Sequence, residues 1–431
     1  MKESSIISLG LGDKMKLIEL SKKEFNNFTN YLETCPFEQS IYWANFKSGE
    51  NWHPYFLGLE DKNKLLGATL LLASENKNIK KRFFYAPQGF LIDYKNYDLL
   101  EIFTKEIINF IKEKNGIYLK IDPEVLTTEK DEGGKELQGG INNLFIKDYL
   151  LKLGFIENDN DSISPKYVMK LNLYNKSIND ILDNMSKKTR QIIKRNERLG
   201  YIVRELNSDE LPSFIEMMDK ISKKFNTIEY ELPFYEDLAN SFTSEHLKIM
   251  IAELDLNLTL NNLKKEEKVL QIEKEKRIGL YQSNQLTEET FIDKELAYKE
   301  QLEIISNRRK YYLALKEKTN NDKILLGGYL FLLYGREVTS LVGGMDDEYI
   351  DLDASYSIHY KMIREALENN YNSYNFYEVK GVDDGSYFFK QNFGARLFEH
   401  IGEFDYPLDL NSYKKNRKYF PPYYGVKTIK K

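Results

Sequence analysis

From Met15 to about Leu173, short apolar runs alternate with longer amphipathic stretches, which predicts strands and helices in alternation. Trp52 to Leu59 and Lys64 to Ala73 read as two strands joined by the turn Glu60-Asp61-Lys62-Asn63. Phe83 to Tyr85 and Gly116 to Ile121 read as further strands. Between them, Leu100, Phe103, Ile107, Phe110 and Ile111 share one face of a helix spanning Leu99 to Lys114. Thr127 to Gly140 is charged and glycine-rich and reads as a loop. The same order returns after Leu173. Ser177 to Gly200 is predicted helical, Ile202 to Leu206 a strand, and Asp209 to Asn226 a helix. Ile324 to Leu333 and Glu337 to Gly343 form a hairpin across Tyr334-Gly335-Arg336, and the helix Asp353 to Asn369 leads into a strand from Ser373 to Glu378. A mixed sheet with helices, occurring twice, predicts two related α/β halves.

Residues 253–318 break this pattern. They contain no proline, hardly any glycine, and charges of both signs at every turn. Leu256, Leu263 and Leu270 repeat every seven residues with Leu260 between them, as do Phe291, Tyr298, Ile305 and Tyr312 with Leu302 between. Two limbs of about 30 residues, each roughly 45 Å long, separated by a break over Ile278 to Thr290, predict an antiparallel coiled-coil arm. The limbs pair mainly with each other in this reading. Deleting the whole arm is therefore expected to leave two folded domains with weakened substrate capture. The expected organisation is a disordered extension over 1–14, a first domain over 15–173, a second over 174–252 and 319–411, the arm over 253–318, and a basic aromatic tail over 412–431.

Composition narrows the class. A net charge of −5 excludes a uniformly basic nucleic-acid binder, so contact with RNA would have to use local patches. Cys35 is the only cysteine, and the four histidines are far apart, which excludes a disulfide framework and argues against a zinc site; no metal is expected. No apolar run approaches the length of a spanning helix, and the first residues do not resemble a secretory signal, so a cytoplasmic setting is expected. The tail from Ser412 carries only positive charges among Tyr413, Tyr419, Phe420, Tyr423 and Tyr424, a mixture that suits an anionic membrane surface or RNA as well as a tail without a role.

Six segments, taken in order, resemble the FemA/FemX family of peptidoglycan bridge-forming aminoacyltransferases. They are QSIYWANFKSGENW from Gln39, FFYAPQGFLIDY from Phe83, YLKIDPE from Tyr118, NMSKKTRQIIKRNERLGYIV from Asn184, GGMDDEYIDLDASYSIHYKMI from Gly343 and YNFYEVKGVDDGSYFFKQNFGARLFEHIGEFDYPL from Tyr374. Each is weak alone; their order and spacing cover nearly the whole chain. The resemblance implies an α/β fold of two tandem acetyltransferase-like domains, with an inserted arm as in the FemA branch. It also implies transfer of an amino acid from aminoacyl-tRNA to an amine on the stem peptide of lipid II or of UDP-MurNAc-pentapeptide.

The residues fit such chemistry. An aminoacyl ester is already activated, so the protein has to align an amine and stabilise an oxyanion rather than supply a nucleophile. The chain offers no nucleophile elbow and no Cys–His pair. It also lacks the pyrophosphate loop of acetyl-CoA-dependent relatives, so no cofactor is expected beyond aminoacyl-tRNA as co-substrate. Phe389-Lys390 falls on the family's FK motif, where the lysine is thought to stabilise charge on the transferring carbonyl. Trp43 and Lys47 fall on a W-A-x-x-K segment resembling the binder of the precursor's diphosphate. The arginine that usually accompanies an aromatic pair, near Phe234-Tyr235 here, is replaced by Glu229-Tyr230-Glu231, leaving Lys223, Lys224 or another group as the substitute. Asp122 resembles a cleft aspartate considered as base or amine anchor, although an aspartate before Pro123 also forms turns. Gly343, Gly344 and Tyr356 match a segment lining the second cleft. Lys187, Arg190, Lys194 and Arg198 share one helix face, which suits tRNA phosphates or simply solvent. Peripheral contact with the inner membrane face, and a homodimer or partner transferase, complete the expectation. An acyltransferase of the same fold acting on another amine, or a non-catalytic tRNA- or precursor-binding module, are the alternatives.

Overall fold

A computed structural model of the chain describes residues 15–131, 133–158, 163–225, 230 and 232–421. The first fourteen residues, Glu229, Glu231 and the end of the tail, with Tyr423 and Tyr424, lie outside them. Strands are numbered β1 to β15 along the chain.

The first sheet has seven strands. In spatial order they are β1 (Lys16–Glu19), β2 (His53–Asp61), β3 (Lys64–Asn76), β4 (Lys81–Ala86), β5 (Gly116–Ile121), β15 (Phe404–Pro407) and β7 (Ile156–Glu157). The second has eight: β6 (Leu126–Lys130), β14 (Arg396–His400), β8 (Tyr167–Asn172), β13 (Ser373–Val379), β12 (Glu337–Met345), β11 (Lys323–Tyr334), β10 (Leu247–Asp255) and β9 (Tyr201–Glu205). Each sheet contains one parallel pair, β4 with β5 and β12 with β13. A parallel pair needs a crossover, and helices Tyr97–Glu113 and Ala354–Glu368 supply the two. The predicted hairpins follow from local chemistry. Lys62-Asn63 and Gly335-Arg336 both have positive φ at both turn positions, the requirement of a tight two-residue connection whose twist matches the strands.

Two mixed sheets with helices and an arm match the expected architecture. The division of the chain between them does not run through residue 173. β6 and β8 precede that point yet belong to the second sheet, and β15 returns from the far end of the chain to pair with β5. The loop expected over 127–140 begins as strand β6, because Thr127 and Thr128 are β-branched and buried, and Thr127 Oγ1 donates to the Glu399 carbonyl at 2.9 Å. The single helix expected over 177–200 is two, Ile178–Asn184 and Lys187–Leu199. Met185 and Ser186 are extended, and Ser186 caps the second helix by accepting from the Thr189 N–H.

The arm consists of helices Leu256–Gln282 and Glu288–Thr319, with a shorter break than the sequence suggested because the first limb continues through Gly279. Tyr281 stacks on Phe291 at 4.4 Å, and Arg277 meets Glu295 at 3.2 Å. Heptad positions near the base pack inward as well as against each other. Leu256, Leu263, Ile305 and Tyr312 are buried in the same core as the second sheet, and Tyr201 and Tyr312 bring their hydroxyls to 3.3 Å. The arm's base is thus part of the domain, which corrects the idea that the whole arm is dispensable for folding. Replacing residues 271–301 by a short turn is expected to leave the thermal transition nearly unchanged. Removing 253–318 removes six buried apolar side chains, the four above with Leu254 and Leu315, at roughly 2–5 kcal/mol each for a large apolar residue, and is expected to unfold the second domain. Calorimetry on the two deletions separates these outcomes.

The tail is used for packing as far as it is described. Tyr413 donates to Asp405 at 2.8 Å, and the Phe420 ring lies 5.7 Å from Trp52 and 5.9 Å from Phe83. Among the described residues, no helix is long and apolar enough to cross a membrane.

Candidate active site

β12 and β13 pair in parallel only over Glu337–Thr339 and Ser373–Asn375. Asn375 accepts from the Tyr377 N–H at 2.8 Å, and Tyr377 adopts φ +63°, so β13 bulges where its pairing is interrupted. The next residue, Glu378, offers its carbonyl to Lys390 Nζ at 2.6 Å. Lys390 sits in the last turn of helix Gly385–Gln391, whose first turn is capped by Asp384. Its side chain is half-buried. Burial pulls the ammonium down to about 8, with Asp384 and Glu378 opposing.

Phe389 and Tyr356 build the apolar wall. Their rings meet edge to face at 4.9 Å, and Tyr356 stacks on Phe393 at 5.6 Å. Behind them His359 is buried, with Nδ1 2.7 Å from the Tyr374 hydroxyl. Burial, then the Lys390 charge, lowers His359 to about 3, so it is a neutral orienting group at physiological pH. Gly343 and Gly344 lie on β12 opposite Tyr329 and Gly328. A Cβ at Gly343 would fall 2.2 Å from the Tyr329 ring, so packing already requires glycine there.

The first-domain candidates form a separate set. Lys47 is fully buried, not a solvated lysine on a helix face. Its ammonium pairs with Glu50 and lies 5.3 Å from the Trp43 ring and 5.1 Å from Phe46. Burial lowers it to about 8, against the Glu50 charge. Trp43 is itself buried, in contact with Phe37. Tyr235 is also a core residue, edge-on to Phe214 at 5.8 Å. The half-buried rings beside it are Phe234 and Tyr230, stacked at 4.0 Å; Phe234 reaches Phe46, and burial, then the Glu378 charge, raises the Tyr230 hydroxyl. This run of aromatics links the Lys47 region with the Lys390 region. Lys223 is exposed and Lys224 pairs with Asp347.

Asp122 is buried and accepts from the Gln88 N–H and Nε2, each at 2.8 Å, and from Ser164. Burial and nearby Glu403 push it up to about 7, despite those bonds. It lines a cavity of about 350 Å³ with Ser164, His400 and Glu403. A smaller cavity of about 30 Å³ adjoins, sharing Pro165 and His400 and lined also by Glu38, Gln88, Glu124 and Tyr377. This inner cluster was not foreseen. Gln88, Glu124 and His400 stand in segments quoted above, the first two just past the end of a strand, but a buried Glu38 leaves no local signal.

Of the basic stripe, Lys187, Lys194 and Arg198 are exposed, with Arg198 3.8 Å from Glu266 on the arm, while Arg190 donates to the Leu182 carbonyl at 2.8 Å. Lys187 and Lys188 occupy the first turn of their helix, where the helix dipole disfavours cations. An anionic partner would relieve that.

The FemAB family model matches residues 20–418. The chain belongs to the FemAB family. Among its relatives are aminoacyltransferase FemA of Staphylococcus epidermidis, 28% identical over 93% of this chain and 97% of that protein, and FemA of Staphylococcus aureus, 25% identical over 96% and 99%. The crystal structure of FemX superposes with a TM-score of 0.75 at 19% identity, covering 93% of this chain and 99% of that one, and so shares the fold.

Proposed function

We propose that this FemAB-family aminoacyltransferase moves an amino acid from aminoacyl-tRNA onto a stem-peptide amine of a peptidoglycan precursor, with Lys390 as the oxyanion partner. The observation that carries the reading is the Lys390 ammonium, fixed by the Glu378 carbonyl and next in the chain to Phe389, whose ring packs on Tyr356. The neutral acceptor amine attacks the ester carbonyl, and an N–C bond forms. The C–O bond to the ribose then breaks, and the amine proton ends on the leaving ribose oxygen. Lys390 holds the carbonyl oxygen while it is negative. Phe389 and Tyr356 exclude water from it, and no acetyl-CoA takes part.

Lys187, Lys194 and Arg198 suit the tRNA backbone. Lys47 would reach a diphosphate only by exchanging Glu50 for it. With the arm present, we read the acceptor as lipid II rather than the UDP-linked precursor, met in the cytoplasm at the inner membrane face. The exposed Val269, Ile272, Ile292 and Leu296 on the arm suit a second subunit or a partner transferase.

The test is donor dependence. Purified protein with charged total tRNA and lipid II should lengthen the acceptor, ribonuclease should abolish this, and acetyl-CoA should not substitute. Acetyl transfer to an amine would replace this reading with that of a same-fold acyltransferase.

A further inference from the structure

The 30 Å³ cavity between the two sheets is lined by an unusual set of buried groups. Glu38 and Gln88 are each 6% exposed and His400 is 9% exposed. Around them Lys170 bonds Glu124 at 2.7 Å and Glu337 at 3.1 Å, and Asn375 donates to Glu337 at 2.9 Å. Lys170 is thereby satisfied by two carboxylates, leaving one negative charge in excess before Glu38 is counted. Two buried atoms, Gln88 Oε1 and His400 Nε2, have no hydrogen-bond partner among the described residues. His400 Nδ1 faces Glu124 at 3.8 Å, which favours the proton on Nδ1 and leaves Nε2 an acceptor. An orphaned buried acceptor costs about 1–3 kcal/mol, so two of them on residues lining one void point to a ligand with several donors. The volume admits a group of one or two water-sized atoms, not a whole side chain.

We propose that this cavity binds a primary ammonium group, that of the aminoacyl residue being transferred, with Glu38, Gln88 and His400 as its acceptors. The proposal rests on the transfer reading above and extends it to recognition of the donor. An –NH₃⁺ has three donors, and the cavity offers an amide oxygen, a carboxyl and an imidazole nitrogen. The cavity lies one residue along β13 from the Lys390 contact. Tyr377 lines it, and the adjacent Glu378 carbonyl fixes Lys390. In an aminoacyl ester only two carbon atoms separate the α-nitrogen from the carbonyl oxygen that Lys390 would hold.

The second source of a primary amine is the acceptor, and the chemistry of attack argues against it. A nucleophilic amine has to be neutral, whereas carboxylates hold an amine charged. The occupant is then the amine that does not react. Without a cation, burial and the neighbouring Glu124, Asp122 and Glu337 push the Glu38 carboxyl well above the usual range, so it waits as a neutral acid and ionises against the incoming charge.

Binding is measured by calorimetry on the full chain with a non-hydrolysable aminoacyl-adenosine amide and its des-amino counterpart. A parallel pair is a lysine-bearing stem pentapeptide and the same peptide with norleucine. The wild type should prefer the aminoacyl amide by about tenfold or more, the worth of a charge-assisted hydrogen bond. Glu38→Gln, close in shape, should bring that ratio near one without moving the thermal transition. Equal affinity of the wild type for both amides overturns the proposal and leaves the cavity to water. A Glu38-dependent preference confined to the peptide pair overturns it in favour of the acceptor amine. Either result leaves product formation by the wild type intact, whereas failure of the transfer reading itself would show as no product.

Discussion

Lys390→Ala is expected to lower the single-turnover rate of aminoacyl transfer by 10²–10³-fold, the scale set by removing one oxyanion donor. Its ammonium bonds a single backbone carbonyl, Glu378 O, and the folded state pulls its proton affinity down, so the side chain contributes little to stability. The alanine variant should therefore melt close to the wild type and bind acceptor as well. The pH dependence gives a second reading. Only the protonated lysine can stabilise an oxyanion, and burial brings it to about 8, so the rate at saturating acceptor should fall as pH rises through about 8. The neutral form of the attacking amine grows in the opposite direction and supplies the acidic limb. Lys390→Arg, charged throughout, should retain part of the rate and lose the alkaline fall. Full turnover by Lys390→Ala would remove the lysine from the chemistry.

Among single substitutions, Lys120→Met should produce the largest loss of stability. Lys120 lies on β5 with 3% exposure, 3.1 Å from Asp405 and 3.2 Å from Glu403, on the strand that returns from the C-terminal region. Methionine fills similar space but leaves two buried carboxylates facing each other without a cation. Breaking a buried pair in this way costs about 3–5 kcal/mol. Glu403 also accepts from the Ser164 N–H at 2.8 Å, and Ser164 bonds Asp122, so the loss should spread to the wall of the larger cavity. Denaturant unfolding would show it as a lower midpoint. An unchanged midpoint would mean that β15 is held by its backbone pairing alone.

That ion cluster also explains what the sequence could not disclose. The β2–β3 hairpin, the crossover helix Tyr97–Glu113 and the arm were legible, because each is written in a local period of two, three-and-a-half or seven residues. The return of β15 pairs residues 283 positions apart, and no local periodicity records such a partner. β6 was missed for a related reason, since its strand signal, Thr127-Thr128, is flanked by the charged residues of an edge. At the site, Phe389-Lys390 and Asp122 stood out through the segments around them. Lys47 was located but its environment was not, because a lysine is ordinarily solvated and this one is buried beside Trp43 and Phe46. Tyr235 belongs to the core, and its neighbours Tyr230 and Phe234 present the half-buried rings. Glu38, Glu124, Glu337 and His400 share a cavity only because segments distant in the chain converge at the seam between the two sheets.

The measurement that bears most directly on this account is the mass of the acceptor after incubation of the purified full chain with charged total tRNA and lipid II. The predicted result is an increase by whole amino-acid residues on the stem peptide, lost on ribonuclease treatment and reduced at least about a hundredfold in rate in Lys390→Ala. An acceptor of unchanged mass, under conditions in which the protein binds both tRNA and lipid II, would contradict it and leave a binding module with the fold of a transferase.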